Sequence, residues 1–280
     1  MAAATAGSVR DALGGAVDAL AAAGVESPRL DAEVLLCEAT RWERAELAAE
    51  PERGVPAAAG RLFGEMVRRR LRREPVAYIL GRKGFRHIEL AVDRRVLIPR
   101  PETELLVELA LELRPERLLD VGTGSGAIAL AVAHELPGCE VTATDTSAAA
   151  LEVARANAER LGLGERVRFV EGTLSQSAER FDLVLANLPY VGEAEWRGLQ
   201  PEVTQWEPRE ALLAGRDGLD AFRATIPVLA SAASTLALEV GMGQADSVAA
   251  MLRVAGFAAV ETRRDLARIE RVVVGRREAP

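Results

Sequence analysis

The spacing of apolar residues changes period along the chain. Up to about residue 75 they recur at helical intervals: Leu13, Val17 and Leu20, then Leu30, Val34 and Leu35, then Leu62, Phe63, Met66, Val67 and Leu71. Ser27-Pro28 reads as a helix start, with serine as N-cap and proline at the first helical position. No strand pattern stands out here. The alanine-rich opening, interrupted by Arg10, Asp11 and Asp18, reads as a helix and not as a secretion signal. Over residues 76–98, Phe85, Ile88, Leu90, Val92 and Val96-Leu97-Ile98 predict a short β-hairpin turning near Asp93-Arg94.

Beyond residue 98, short apolar runs alternate with helical patterns. The runs are Arg117–Val121, Glu140–Thr144, Val167–Glu171, Phe181–Ala186 and Thr235–Val240. The helical stretches are Gly126–Leu136, Ala148–Leu161, Leu219–Ala232 and Asp246–Ala255. Alternation of this kind predicts a parallel sheet with crossover helices. Two late strands, Ala258–Thr262 and Ile269–Val274, flank Arg263–Arg268 and predict an antiparallel pair at the sheet edge. The chain thus divides into a helical domain (1–75), a hairpin linker (76–98) and an α/β domain (99–280).

Composition narrows the function classes. The net charge of −7 disfavours general nucleic-acid binding, and no apolar run approaches the roughly 20 residues that span a bilayer. Cys37 and Cys139 are far apart, with neither metal-ligand spacing nor a disulfide framework, which fits a reduced, cytoplasmic protein. The arginine run Arg68-Arg69-Arg70-Leu71-Arg72-Arg73 is either a solvated helix face or a contact surface for an acidic partner or phosphate backbone.

The chemistry begins at "LLDVGTGSGAIAL", a strand, a glycine-rich turn and a helix. Gly122, Gly124 and Gly126 permit a tight turn and close approach of backbone to ligand, with Thr123 and Ser125 between them. Asp145 ends the next strand, where a carboxylate can accept both ribose hydroxyls of an adenosine. The spacing through Ala127 also satisfies G-x-G-x-x-A, the pattern of a nicotinamide-cofactor loop. Asp120, just before the glycines, favours a cationic ligand over a pyrophosphate. S-adenosylmethionine, with its sulfonium and ammonium groups, is such a ligand.

The run Leu183-Val184-Leu185-Ala186 stops at Asn187-Leu188-Pro189-Tyr190. In an open parallel sheet this strand end faces the same crevice as the glycine loop. The Asn187 carboxamide offers an acceptor oxygen, Pro189 holds Leu188 extended so that its carbonyl can turn inward, and Tyr190 supplies a flat wall. Two convergent acceptors suit a planar –NH2 group. Such a nitrogen has a delocalised lone pair and must be held against a methyl donor to react.

These residues resemble the HemK/PrmC-type protein-(glutamine) methyltransferases. The resemblance runs through "EPVAYILGRKGFRHIELAVDRRVLIPRPETE", "DVGTGSGAIAL", the Asn-x-Pro-Tyr signature, "WEPREALLAGRDGLDAFR", "LALEVGMGQADSV" and "RDLARIERVVVGR". It implies a Rossmann-like, class I S-adenosylmethionine-dependent methyltransferase sheet, mostly parallel with an antiparallel edge pair. A small all-helical N-terminal domain would grip the partner. It implies methylation of the side-chain amide of the glutamine in the Gly-Gly-Gln loop of peptide chain release factors, with S-adenosyl-L-homocysteine as product. Cofactor binding would fall to Gly122–Gly126, Asp145 and Asn187, and glutamine binding and catalysis to Asn187, Leu188, Pro189 and Tyr190.

Two departures stand out. The tetrad is usually Asn-Pro-Pro-Tyr, but Leu188 holds the second place, keeping the carbonyl and adding an N–H. After the third strand the family often has an acid and a large side chain. Here Thr173-Leu174 stands there, with Leu174 left to pack on the adenine. Arg100, before Pro101, either steers the methionine carboxylate or serves helix entry. Asn-Leu-Pro-Tyr also occurs in ribosomal RNA adenine dimethylating enzymes, so a methyltransferase for the exocyclic amine of adenine in RNA or DNA is the alternative. A non-catalytic partner-binding module is a third class. The acidic charge and the 74–104 match favour the protein substrate, with no membrane and no direct nucleic-acid substrate expected.

Overall fold

The computed structural model describes residues 5–172 and 179–277. It divides into two compact units. One runs to Gly81 and also takes in Pro201–Trp206; the other holds Arg82–Gln200 and the chain from Glu207 onward.

The first unit is mainly helical: α1 (Val9–Ala22), α2 (Pro28–Thr40), α3 (Arg44–Ala49), α4 (Ala57–Leu71) and α5 (Val76–Leu80). Helix α1 starts with a capping box, in which Ser8 Oγ accepts the Asp11 N–H at 3.1 Å while Asp11 Oδ2 accepts the Ser8 N–H. Leu13, Leu20, Leu35, Leu36, Phe63 and Val67 form its core, each fully buried aliphatic side chain worth about 1.5–3 kcal/mol. The stripe expected from Leu30 is displaced: Leu30 is exposed, and α2 turns Ala32, Leu35 and Leu36 inward. Ser27 makes no capping bond, so Pro28 at the first turn marks that start alone. A short antiparallel pair, β1 (Thr5–Ser8) and β2 (Gly54–Pro56), lies in a stretch expected to be purely helical. Strands this short leave no period to read.

The arginine run is a solvated face only in part: Arg68 and Arg72 are exposed, while Arg69, Arg70 and Arg73 turn to partners within the unit. Arg69 donates to Glu74 and to the carbonyls of Tyr78 and Ile79. Arg70 is buried between Asp31 (2.7 Å) and Glu202 (2.6 Å), and Arg73 closes on the other oxygen of Glu202. Glu202 lies on the helix at Pro201–Trp206, so these pairs explain why that helix belongs to this unit rather than to the sheet expected to hold all of 99–280.

The second unit opens with the hairpin β3 (Arg82–Phe85) and β4 (Ile88–Ala91). The turn lies at Arg86-His87, not at Asp93-Arg94, and residues 96–98 form no strand. Asp93 instead closes a local turn, its carboxylate and carbonyl accepting the N–H groups of Arg95 and Val96. Residues 76–80, expected in the linker, are α5, ended by Gly81 in the left-handed region.

The remaining elements follow the expected alternation: α6 (Glu104–Leu113), β5 (Arg117–Val121), α7 (Ala127–Glu135), β6 (Glu140–Asp145), α8 (Ala148–Arg160), β7 (Val167–Glu171), β8 (Phe181–Ala186), α9 (Glu193–Trp196), α10 (Pro201–Trp206, the helix carrying Glu202), α11 (Asp220–Ala230), β9 (Ala233–Glu239), α12 (Ala245–Val254), β10 (Ala259–Arg264) and β11 (Glu270–Arg276). Among the described residues they build a seven-stranded sheet in the order β10-β11-β9-β8-β5-β6-β7. Strands β5 to β9 are parallel, and β11 enters antiparallel between β9 and β10. The fold is the Rossmann-like one expected, with the antiparallel pair at the edge. Strand order reverses where β5 lies between β6 and β8, which opens a crevice at their carboxyl ends.

Candidate active site

The crevice holds a cleft of about 230 Å³. Gly122, Gly124 and Asp145 line one side, and Asn187, Leu188 and Pro189 another; Leu97, Ala150 and Ala211 add apolar wall. Strand ends from three parts of the sequence thus converge as the pattern predicted.

The glycine loop is fixed by backbone bonds. Gly122 and Thr123 both donate to the Thr144 carbonyl at 2.9 Å, which ties the end of β5 to β6. The Gly124 N–H donates to Asp145 Oδ2 (2.8 Å) and the Ser147 N–H to Asp145 Oδ1 (2.9 Å). Each Asp145 oxygen keeps lone-pair capacity for a further donor from the cleft. Gly126 precedes α7 at φ +85°, and a Cβ there would stand 2.8 Å from Leu130, so both backbone and packing require glycine. Thr123 and Ser125 face inward: Thr123 Oγ1 donates to Asp120, and the Ser125 carbonyl accepts from the buried Asn157.

Asp120 does not line the cleft. It is wholly buried beneath the loop, and its Oδ2 accepts from Thr123 (2.7 Å) and from the Ala129 N–H (3.2 Å), while Oδ1 has no partner. Burial pushes its carboxyl up to about 7. Its role is to staple the loop to α7. Arg100 is likewise held elsewhere: it pairs with the buried Glu207, whose other oxygen accepts the Ile98 N–H at 3.0 Å. That pair fixes the chain entering α6. Leu174 lies outside the described residues.

Asn187 Nδ2 donates to Thr103 Oγ1 at 3.0 Å, so its Oδ1 is the end left to accept. Leu188 is buried, packing into the sheet core while lining the cleft. Tyr190 is not a cleft wall. It packs against the core with its hydroxyl 3.4 Å from Glu239 Oε1, and its carbonyl accepts from Gln244. Burial and the Glu239 carboxylate push the phenol pKa up. Glu239 ends β9, is buried with Oε2 unpartnered, and burial raises its carboxyl to about 7. Neither Thr103 nor Glu239 was singled out as a site residue from sequence. The available signal was an acid ending an apolar strand, Leu236-Ala237-Leu238-Glu239, as Asp145 ends β6.

Among the described residues no helix is long and apolar enough to cross a membrane. The PrmC N-terminal domain family matches residues 11–81 and the methyltransferase small domain family matches 101–199. The chain is 40% identical over 269 residues to a release factor glutamine methyltransferase of Caulobacter vibrioides, covering 93% of each. It is 44% identical to one of Xylella fastidiosa strain Temecula1 (92% of this chain, 96% of that one) and 45% identical to one of Moorella thermoacetica (89% and 90%). Among solved structures, the catalytic domain of hMettl16 in complex with the MAT2A 3'UTR hairpin 6 shares the fold, with TM-score 0.56 and 17% identity over 67% of this chain and 75% of that one. Identity of this order along nearly the whole length, joined to the matching domain pair, shows that the chain belongs to the release factor glutamine methyltransferase family.

Proposed function

We propose that the chain transfers a methyl group from S-adenosyl-L-methionine to the side-chain amide nitrogen of the glutamine in the Gly-Gly-Gln loop of peptide chain release factors, leaving S-adenosyl-L-homocysteine. The observation that carries this reading is the Asn187 carboxamide. Its nitrogen is committed to Thr103, which leaves an acceptor oxygen at the end of β8 beside the glycine loop.

The cleft residues fit the donor. Asp145 has acceptor capacity toward the cleft for ribose hydroxyls, Gly122 and Gly124 remove side chains from the approach, and Leu97 and Ala150 offer apolar surface for a purine. When bound, S-adenosylmethionine supplies an electrophilic methyl group on a sulfonium. The chain's own residues orient the acceptor: Asn187 Oδ1 accepts one amide hydrogen of the glutamine, and the Leu188 carbonyl accepts the other. Held this way, the nitrogen presents its lone pair to the methyl; as the N–C bond forms, the bond from that methyl to sulfur breaks with its electron pair staying on sulfur, and the nitrogen's surplus proton leaves to water. Much of the rate gain comes from this alignment. The same reading gives the helical unit the role of gripping the release factor and sets the reaction in the cytoplasm.

Methyl transfer from labelled donor to three acceptors tests it: intact release factor, the same factor with its loop glutamine changed, and RNA. Label is expected in the first alone. Label in RNA and none in release factor would replace this reading with the adenine alternative, which the names of the similar proteins do not favour.

A further inference from the structure

We propose that Gln244 is a positioning residue that fixes the aim of the Leu188 carbonyl by clamping the peptide that leaves the tetrad. The inference rests on the amide-methylating reading above and deepens it. Gln244 Nε2 donates to the Tyr190 carbonyl at 2.9 Å and to the Gly218 carbonyl at 3.4 Å, and its Oε1 accepts the Gly241 N–H at 2.9 Å. Backbone alone settles the sense of this carboxamide, since a peptide N–H can only donate and a peptide carbonyl only accept. The same Tyr190–Val191 peptide is held on its other side, where the Val191 N–H donates to the Leu212 carbonyl at 2.8 Å. One peptide unit just beyond Leu188 and Pro189 is thus gripped at both of its polar groups.

The surroundings are shaped around this clamp. Gly218 sits at φ +75°, and a Cβ there would lie 2.2 Å from the Tyr190 oxygen and 2.7 Å from Gln244 Nε2. A Cβ on Gly241 would lie 3.0 Å from Gln244 Oε1 and 3.1 Å from the Tyr190 ring. These glycines, from "WEPREALLAGRDGLDAFR" and "LALEVGMGQADSV", clear the space that the bonds fill. Gln244 is also the N-cap of α12, a place usually given to Ser, Thr, Asp or Asn, yet its side chain makes no capping bond. The side chain serves the tetrad instead of the helix. Leu188 is the reason it matters. A proline at the second place of the tetrad locks φ there, whereas leucine leaves that torsion free. Between the clamped peptide and the Leu188 carbonyl, Pro189 locks one torsion of its own. Holding the Tyr190 end therefore supplies, from the far side, the rigidity that leucine gives up, and keeps the Leu188 carbonyl aimed at the amide hydrogen it accepts.

The test uses the full-length chain with Gln244→Met, Gln244→Glu, and Gln244→Met combined with Leu188→Pro. Gln244→Met keeps the length of the side chain and loses the clamp. Gln244→Glu keeps its shape and the bond from Gly241 but sets an acceptor against two carbonyls. In both, kcat on release factor should fall about 10- to 100-fold. Gln244 does not line the cleft, so the dissociation constant for S-adenosylmethionine should stay unchanged by calorimetry, which also reports an intact fold. The discriminating readout is coupling. Measured against Leu188→Pro as its own parent, Gln244→Met should cost about threefold less or better, because the proline restores the lost constraint. A readout independent of substrate is hydrogen exchange of the Val191 amide. It should quicken in Gln244→Met while the Val184 amide within β8 keeps its rate. Wild-type kcat in Gln244→Met would overturn the inference. So would an equal loss in both parents, a weakened donor affinity, or Val184 quickening along with Val191, each of which marks general support of the fold. If the wild type itself labelled no release factor, the proposed function would fall, while Val191 exchange with and without Leu188→Pro would still decide the clamp.

Discussion

The two walls of the crevice are held by different kinds of bond. The wall built from β5 and β6 is fastened by backbone N–H groups: Gly122 and Thr123 on the Thr144 carbonyl, Gly124 and Ser147 on Asp145. The wall at the end of β8 is fastened by side chains reaching across long stretches of sequence, Asn187 to Thr103 and Tyr190 to Glu239. The difference matches what each wall has to do. A nucleoside needs a surface of fixed shape, which backbone bonds supply. An amide needs donors and acceptors of the right sense, which only side chains that can be turned either way have to be told.

The largest break in this contrast is Asn187→Ala. It removes the one acceptor whose sense is fixed, and kcat should drop about a hundred- to a thousandfold, roughly 2.7–4 kcal/mol. Donor affinity should change far less, and stopped-time assays with calorimetry separate the two. Asp145→Ala acts on the other wall. Losing charge-assisted acceptors costs about 1.5–3 kcal/mol, so the donor dissociation constant should rise roughly tenfold to a hundredfold. An unchanged constant would remove Asp145 from the donor site.

How much of each wall could be read from sequence follows from the same contrast. The glycine loop and Asp145 are local motifs on strands whose apolar runs set their own boundaries, so β5, β7 and β8 fall where the pattern put them. Asn187 was legible as a polar residue ending an apolar strand. Thr103 and Glu239 were not, because a contact between residues 84 positions apart leaves no spacing to detect. Asp120 was misjudged for a related reason. Its place before the glycines is visible in sequence, whereas the inward turn of Thr123 that captures it is not. The arginine run was likewise opaque, since its partners Asp31 and Glu202 lie far away in the chain.

Smaller effects sharpen the comparison. Gly126→Ala should destabilise the sheet unit by about 1–3 kcal/mol, combining left-handed backbone with the contact on Leu130; urea unfolding measures it. Leu188→Pro restores the usual tetrad and keeps the carbonyl, so kcat should hold within about fivefold, roughly 1 kcal/mol. Because Leu188 is part of the core, the cost should appear in stability instead, at roughly 0.5–3 kcal/mol. The smallest effect is a slope. The Asp120 carboxyl titrates near 7 when folded, against about 3.9 when unfolded. Between those values the folded chain binds the extra proton, so stability falls as pH rises. Asp120→Asn should flatten the fall in urea midpoint across that window without removing it, since Glu239 contributes in the same sense.

The helix at Pro201–Trp206 has a consequence for modularity. The backbone passes from one unit to the other three times, after Gly81, after Gln200 and after Trp206. The helical unit is therefore not a bead on a string. A protease cutting once near Gly81 would leave one of its helices on the other fragment, with Glu202 stripped of Arg70 and Arg73. Recombination faces the same constraint: a chimera that exchanges helical units at a single crossover inherits mismatched partners for that acid. An exchange that keeps the ion pairs must carry two separate segments of sequence together, so the two units are expected to be inherited as a pair.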